Sequence, residues 1–363
     1  MRHIKIIGAG SIGNHLANAA RTLDWKVDLC DRDSAALERT RRSIYPERYG
    51  AWDDAISLYS LDDAPVGVHD AIFIGTPPDA HMVIAMEAIG SGAKLVHVEK
   101  PVCTPVLEHA DAMIAEAEAN GVYLTVGYDL LLGEAFLRME ALLRDLPIGP
   151  IKTIDVETRE HWGGIFGAHP WLDGPKDSYL GFWHRSGGAT CEHSHGLNMW
   201  QHIALAVGAG RVTEISASAD YVREAPLDYD QLMSMNLRTE TGLLGRCVQD
   251  VVTQPARKWA RIQGKNGFLE WEYLGAPGHH IVRFGVDGEV TQEEAFVARR
   301  TDDFLAEVRH IGDLLDGKII ASPIDLRRGL DTMLLIAGAH RSAVSGKAVA
   351  IDYGEGYALE ALG

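Results

Sequence analysis

The stretch HIKIIGAGSIGNHLANAARTL constrains this chain more than any other. A short apolar run meets Gly8, Gly10 and Gly13 in G-x-G-x-x-G spacing, and Ile12, Leu16, Ala19, Ala20 and Leu23 then recur at helical intervals. A strand that turns this sharply into a helix needs glycine where φ is positive and where backbone meets backbone. The free N–H groups of the new helix, from Ser11 and Ile12 onward, then face an anion such as a pyrophosphate. The next apolar run, KVDLC, leads into Asp31, about 20 residues beyond the turn, where a carboxylate can bind a ribose 2′-hydroxyl. That carboxylate repels a 2′-phosphate, so the expected cofactor is NAD. NADP is the other candidate, because Arg32 can stack on adenine or meet a phosphate.

Strand-like and helix-like segments keep alternating up to residue 128. DAIFIGT, KLVHVEKP and VYLTVGY read as buried strands, with PPDAHMVIAMEAIGSG and VLEHADAMIAEAEANG as helices. This is the pattern of an α/β Rossmann domain with a doubly wound parallel sheet, whose ligands lie beyond the carboxyl ends of the strands. Thr76, Pro77, Glu99, Lys100 and Tyr128 fall at such ends.

From residue 129 to 363 the pattern changes to an α+β domain. IKTIDVETREHW, VTEISASADYV, QLMSMNLRTE, GLLGRCVQDVV, ARIQGKNGFLEWEY and HHIVRFGV alternate apolar with polar residues, as in a large, mostly antiparallel sheet with one open face. Helical patterns over 302–315 and 324–344 close the chain.

With 34 Lys and Arg against 51 Asp and Glu, the net charge is −17, which argues against nucleic acid or an anionic membrane as partner. No apolar run approaches the roughly 20 residues that span a bilayer. The N-terminus lacks signal-peptide architecture. Cys30, Cys103, Cys191 and Cys247 form no C-x-x-C pair, so reduced thiols and a cytoplasmic location are expected.

G-x-G-x-x-G, TPPDAH (76–81) and VEKP (98–101), in this order and spacing, resemble the glucose–fructose oxidoreductase / inositol dehydrogenase (Gfo/Idh/MocA) family. The resemblance implies an NAD(P)-dependent dehydrogenase acting on a secondary hydroxyl of a sugar, cyclitol or sugar derivative. It places Gly8, Gly10, Ser11, Ile12, Gly13, Asp31, Arg32, Thr76, Pro77, His81, Glu99 and Lys100 around the cofactor, with the amine of Lys100 also at the reacting oxygen, where it can carry a proton. It further implies a homodimer or homotetramer built through the open sheet face. In GYDLLLGEAF, leucines stand where the family often has a basic residue, so an acidic substrate group would need Arg159, Lys176 or Arg185.

CEHSHGLNMWQH (191–202) puts three histidines, a glutamate and a cysteine into twelve residues. The family has a catalytic histidine after a glycine pair, and His195 matches it, with Glu192 as acidic partner. Cys191 and Asn198 stand where many members carry aspartates. Three readings are open. In the first, His195 is the acid/base group, since imidazole titrates near working pH. In the second, Glu192, His193 and His195 hold a metal. Against this, His-x-His on a helix points its rings apart, so no metal is expected. In the third, the stretch is a polar helix start, in which His193 and His202 are structural. The aromatic segment 161–188 is either a substrate lid or a loop anchored in the core. Tyr128, Trp162, Trp171, Trp183 and Asn198 are the substrate-contact candidates. Two other functions use the same framework: redox-neutral, NAD-assisted glycoside cleavage, and dinucleotide-dependent sensing without catalysis.

Overall fold

The computed structural model describes residues 1–145, 148–167 and 171–363. They form two compact units, Met1–Cys103 with His109–Asp129 and Arg300–Gly329, and Thr104–Glu108 with Leu130–Arg299 and Leu330–Gly363.

The first unit is built on β1 (His3–Ile7), β2 (Lys26–Asp31), β3 (Ile56–Ser60), β4 (Ala71–Ile74), β5 (Leu95–Val98) and β6 (Tyr123–Val126). All neighbours are parallel, in the order β3-β2-β1-β4-β5-β6. Helices α1 (Ser11–Thr22), α2 (Ser34–Arg39), α3 (Tyr45–Tyr49), α4 (His81–Ile89) and α5 (Ala110–Asn120) connect them. Strand order reverses between β1 and β4, so their carboxyl ends flank the crevice where such sheets bind ligands. The strands read as continuous apolar runs because both faces of the sheet are covered; every residue of β4 and β5 is buried. The edge strand β3, ISLYS, has only Ile56 buried, which is why hydrophobic pattern did not reveal it.

The sequence reading assigned all of 129–363 to the second domain, yet Arg300–Gly329 clusters with the first. The reason is packing. Helix α10 (Arg300–Leu315) buries Phe304, Val308 and Ile311 in one core with Ile4, Leu16 and Leu29. Its apolar stripe at i, i+4 and i+7 therefore finds a partner laid down some 280 residues earlier.

The second unit holds β7 (Ile151–Arg159), β8 (Val212–Val222), β9 (Tyr229–Thr239), β10 (Leu244–Asp250), β11 (Arg257–Gly264), β12 (Gly267–Ala276), β13 (His279–Val286), β14 (Glu289–Val297) and β15 (Val349–Ala350). They form a nine-stranded sheet in the order β14-β13-β12-β11-β7-β10-β9-β8-β15. Pairing is antiparallel except between β7 and β10. The run 260–273, read as one strand, is a hairpin turning at Lys265–Asn266. The alternating run 289–297 adds β14, which the reading omitted. Helices α6 (Glu134–Asp145), α7 (Trp162–Gly167), α8 (Gly188–Glu192), α9 (His195–Ala206) and α11 (Leu326–Ser345) complete the list of longer helices. One sheet face is polar, with cross-strand pairs such as Arg246–Asp155 at 2.7 Å, Arg257–Glu157 at 3.0 Å and Arg261–Glu270 at 2.7 Å. Each such half-exposed pair contributes little stability, but together they keep the face wettable.

Phe304 is 1% exposed, and truncation leaves a cavity that the surrounding strands cannot close. Phe304→Ala is expected to lower unfolding free energy by about 3–5 kcal/mol, measured by denaturant titration, with the loss confined to the first unit.

Candidate active site

At the turn after β1, Gly8 has φ +110°, a region closed to side chains, and a Cβ there would lie 2.7 Å from Gly75 O. A Cβ on Gly13 would lie 1.9 Å from Gly8 O. These two glycines let α1 and the loop after β4 press onto the turn. Gly10 differs: a Cβ there would meet nothing within 4 Å, so its role is open backbone at the start of α1. That helix has no side-chain cap and no acid in its first turn, which leaves its N–H groups available to an anion. Ser11 Oγ accepts from Arg48 Nη1 at 2.9 Å, and Arg48 also donates to Ser11 O at 3.2 Å. The Ile12 side chain packs against Gly75.

Asp31 ends β2 and holds the turn directly, accepting from Ala9 N at 2.8 Å and Asp33 N at 2.8 Å. Arg32 is exposed. Two supports escaped the sequence reading. Thr40 donates to Ala9 O at 2.8 Å, and Asn14 Nδ2 donates to Gly10 O at 2.7 Å and to Thr40 Oγ1 at 3.1 Å. Asn14 directly follows the motif and was findable. Thr40 carries no local signal.

Around the ends of β4 and β5, Thr76 is half-buried and Pro77 exposed. His81, expected at the cofactor, is fully buried instead. Its Nδ1 faces Pro101 O at 2.9 Å and its Nε2 faces Thr76 O at 2.7 Å, so it ties together the two loops that follow β4 and β5. Burial lowers the pKa of His81 from its ordinary value, while both carbonyl contacts favour the protonated ring. Lys100 is half-buried and its peptide bond to Pro101 is cis.

Glu99 and Tyr128 turn inward, at 7% and 0% exposure. A Cβ on Gly127 would lie 2.4 Å from Glu99 Oε2. Glu99 and Tyr128, expected at cofactor and substrate, are thus buried within the unit, a placement set by the elements packed over the strand ends. There Glu307 is buried, and desolvation, then Asp129 and Glu99, push its carboxyl well above the usual range. His97, driven down to about 3 by burial, lies 3.7 Å from it. A neutral carboxyl facing a neutral imidazole fits both directions.

In the second unit the histidine-rich stretch is not one helix. α8 ends at Glu192, and α9 starts at His195 after a break at His193 and Ser194. Glu192 and His195 are half-buried. Helix α9 approaches the sheet through Gly196, where a Cβ would lie 2.6 Å from Thr158 Oγ1. Asn198, a substrate-contact candidate, points elsewhere. It is 2% exposed and donates to Thr332 Oγ1 at 3.1 Å, a partner on α11 that only the tertiary fold brings to it. His202 meets Glu140 Oε1 at 2.7 Å, and His193 Nε2 faces Glu160 O at 3.4 Å. Among the described residues, Glu192, His193 and His195 do not assemble into a three-ligand group.

The aromatic segment 161–188, of which residues 168–170 lie outside the described residues, is largely anchored. Trp162, Phe166 and Tyr179 pack on a small core of Ile165, Leu180, Ala189, Tyr229 and Val251, and Trp162 Nε1 donates to Tyr229 Oη at 3.3 Å. Trp183 stacks on His340 at 4.6 Å and lines an apolar cavity of about 790 Å³ with Tyr221, Ala337 and Val344. Trp171 is 40% exposed. Of the candidate anion partners, Arg159 is engaged by Asp250.

Beneath α8 sits a group that sequence reading missed. Asp230 accepts from Thr190 N at 2.8 Å and from Thr190 Oγ1. Gly188, with φ +79°, leaves it room, since a Cβ there would lie 2.1 Å from Asp230 Oδ1. Burial raises the Asp230 carboxyl to about 7, and burial lowers His340, 3.9 Å away, to about 3.

Residues 2–128 match the GFO_IDH_MocA family, described as an oxidoreductase family with an NAD-binding Rossmann fold. The match covers the N-terminal third of the chain and supports NAD as the cofactor of that segment. Comparison with curated protein sequences found no match. Among solved structures it resembles an aldose-aldose oxidoreductase from Caulobacter crescentus complexed with glycerol, at 19% identity over 96% of this chain and 99% of that one, TM-score 0.76. It also resembles the WlbA dehydrogenase from Bordetella pertussis in complex with NADH and UDP-GlcNAcA, at 20% identity over 97% and 99%, TM-score 0.70. A third is a levoglucosan dehydrogenase in complex with NADH and L-sorbose, at 16% identity over 97% and 99%, TM-score 0.75. At these identities the likeness is one of fold.

Asp31→Asn keeps an acceptor for Ala9 N but removes the charge. It is expected to weaken NAD binding about tenfold, roughly 1.4 kcal/mol, and to narrow the gap to NADP, as read by tryptophan fluorescence titration. Asp230 binds its proton more tightly folded than unfolded. The stability it contributes is therefore full below its ordinary value of 3.8 and is lost as pH rises through about 7. Asp230→Asn is expected to flatten that decline in denaturant titrations across the window.

Proposed function

We propose that this chain oxidises one secondary hydroxyl of a sugar, cyclitol or sugar derivative, or reduces the matching ketone. The observation that carries the reading is Lys100, half-buried directly after β5 in a loop that His81 anchors through Pro101 O. An amine held at that strand end can donate to a substrate oxygen without closing off the crevice. The three similar structures just named, two of them solved with NADH and a sugar or sugar derivative, support the substrate class.

The turn residues fit a dinucleotide. Gly8 and Gly13 permit the close backbone approach, the uncapped start of α1 would hold the pyrophosphate, and Asp31 would hold the adenosine ribose. NAD, when bound, would supply the hydride acceptor for the carbinol carbon. His195, half-buried in the first turn of α9, removes the hydroxyl proton as negative charge builds on oxygen. Lys100 stabilises that oxygen by hydrogen bonding, and Glu192 passes the proton from His195 to solvent. Alcohol thereby becomes ketone with one proton released. In the reverse direction the same groups supply it. We place the enzyme in the cytoplasm as a homodimer or homotetramer, with light scattering as the check on its size.

The test is NADH formation by purified protein across free sugars, cyclitols, uronates and glycosides, with Lys100→Met and His195→Ala alongside. Turnover that falls about 10²–10⁴-fold in each variant, with NAD binding retained in His195→Ala, is the expected result. Turnover unaffected by either substitution overturns the residue roles. Bound NAD without NADH formation on any substrate overturns the dehydrogenase reading in favour of redox-neutral cleavage or sensing.

A further inference from the structure

Toward the amino ends of the central strands β1 and β4, and on the neighbouring β2, the first unit carries a cluster unrelated to this chemistry. His3 opens β1, Asp28 lies in β2 in register with Lys5, and His69 precedes β4. His3 Nε2 lies 2.8 Å and His69 Nε2 lies 2.9 Å from the same atom, Asp28 Oδ2. The three ligand atoms fall within 4.8 Å of one another. Asp28 and His69 are 0% and 8% exposed, and Asp28 Oδ1, also buried, has no hydrogen-bond partner among the described residues. From His3 to Gly8 is about 16 Å along β1, at roughly 3.3 Å per residue, so the cluster is separate from the cofactor turn.

We propose that His3, Asp28 and His69 bind one transition-metal ion, Zn²⁺ by ligand chemistry. Two imidazoles and one carboxylate form a three-ligand set that zinc accepts, with a fourth position for water. Zinc bonds of about 2.0–2.1 Å set neighbouring ligand atoms roughly 3.3 Å apart. The present nitrogen-to-oxygen distances need to open by only about half an ångström. The ion would neutralise a carboxylate that has no cationic side chain bonded to it and would give its second oxygen a partner.

Other charged groups nearby are Lys5, which opposes a cation, and Asp70, which accepts from His3 N at 2.9 Å and favours one. Such an ion would staple β1, β2 and the entry to β4, a structural task that leaves the hydroxyl chemistry to NAD.

The experiment uses tag-free, full-length protein stripped of metal, titrated with Zn²⁺ by calorimetry and melted with Zn²⁺, with Mg²⁺ and with chelator. Uptake of one Zn²⁺ per chain is expected, with a raised Tm that Mg²⁺ does not reproduce and unchanged NAD binding. His3→Gln, at a half-exposed position that keeps the fold, and Asp28→Asn should both abolish uptake. A visible d–d band on Co²⁺ substitution, lost in His3→Gln, would report the coordination directly. No stoichiometric uptake by wild type, or equal uptake by wild type and correctly folded His3→Gln, overturns the proposal. The cluster is then a hydrogen-bond network alone.

Discussion

The N-terminal half of this molecule depends on a close meeting of backbones. Gly13 sits against the Gly8 carbonyl, and Gly8 sits against Gly75. A single methyl at either position would push α1 off β1 or push the loop after β4 away. Three elements that approach the cofactor are therefore registered by steric exclusion rather than by attraction. Asp31, Asn14 and Thr40 then bond Ala9 N, Gly10 O and Ala9 O in the turn. These bonds are in place before any ligand arrives, which reduces the ordering cost of binding.

A comparable device recurs in the second unit. Gly196 lets α9 settle on β7 and β10, and Gly188 makes room for the buried Asp230 under Thr190. His195 thus begins its helix from a chain path held on both sides. The break at His193 and Ser194 leaves Glu192 at the end of one helix and His195 at the start of the next. Polar groups carry this design where apolar packing would fail, since buried carbonyls and hydroxyls need partners.

Buried ionisable groups in both units show how the chain handles desolvation. Glu307 with His97, and Asp230 with His340, are pairs in which burial pushes the acid up and the base down. Neither needs charge to persist. His81 takes another course, with both ring nitrogens on backbone carbonyls, and so links the Thr76 loop to the Lys100 loop. Its position in the fold thus holds both loops in place from within.

Local sequence by itself determined the Rossmann order, the glycine turn, Asp31 at the end of β2, Lys100 at the end of β5 and the change to an alternating sheet near residue 150. Each of these rests on neighbours within a few residues: steric demand at a turn, or a period of two or 3.6 along one element. Tertiary structure alone decided that α10 belongs with the first unit, that Glu99, Tyr128 and Asn198 face inward, that 260–273 doubles back, and that Asp230 lies beneath α8. It also gathered His3, Asp28 and His69 from three segments. A side chain's surroundings are set by which distant surface covers it, and that information resides in the packing of elements rather than in any one of them.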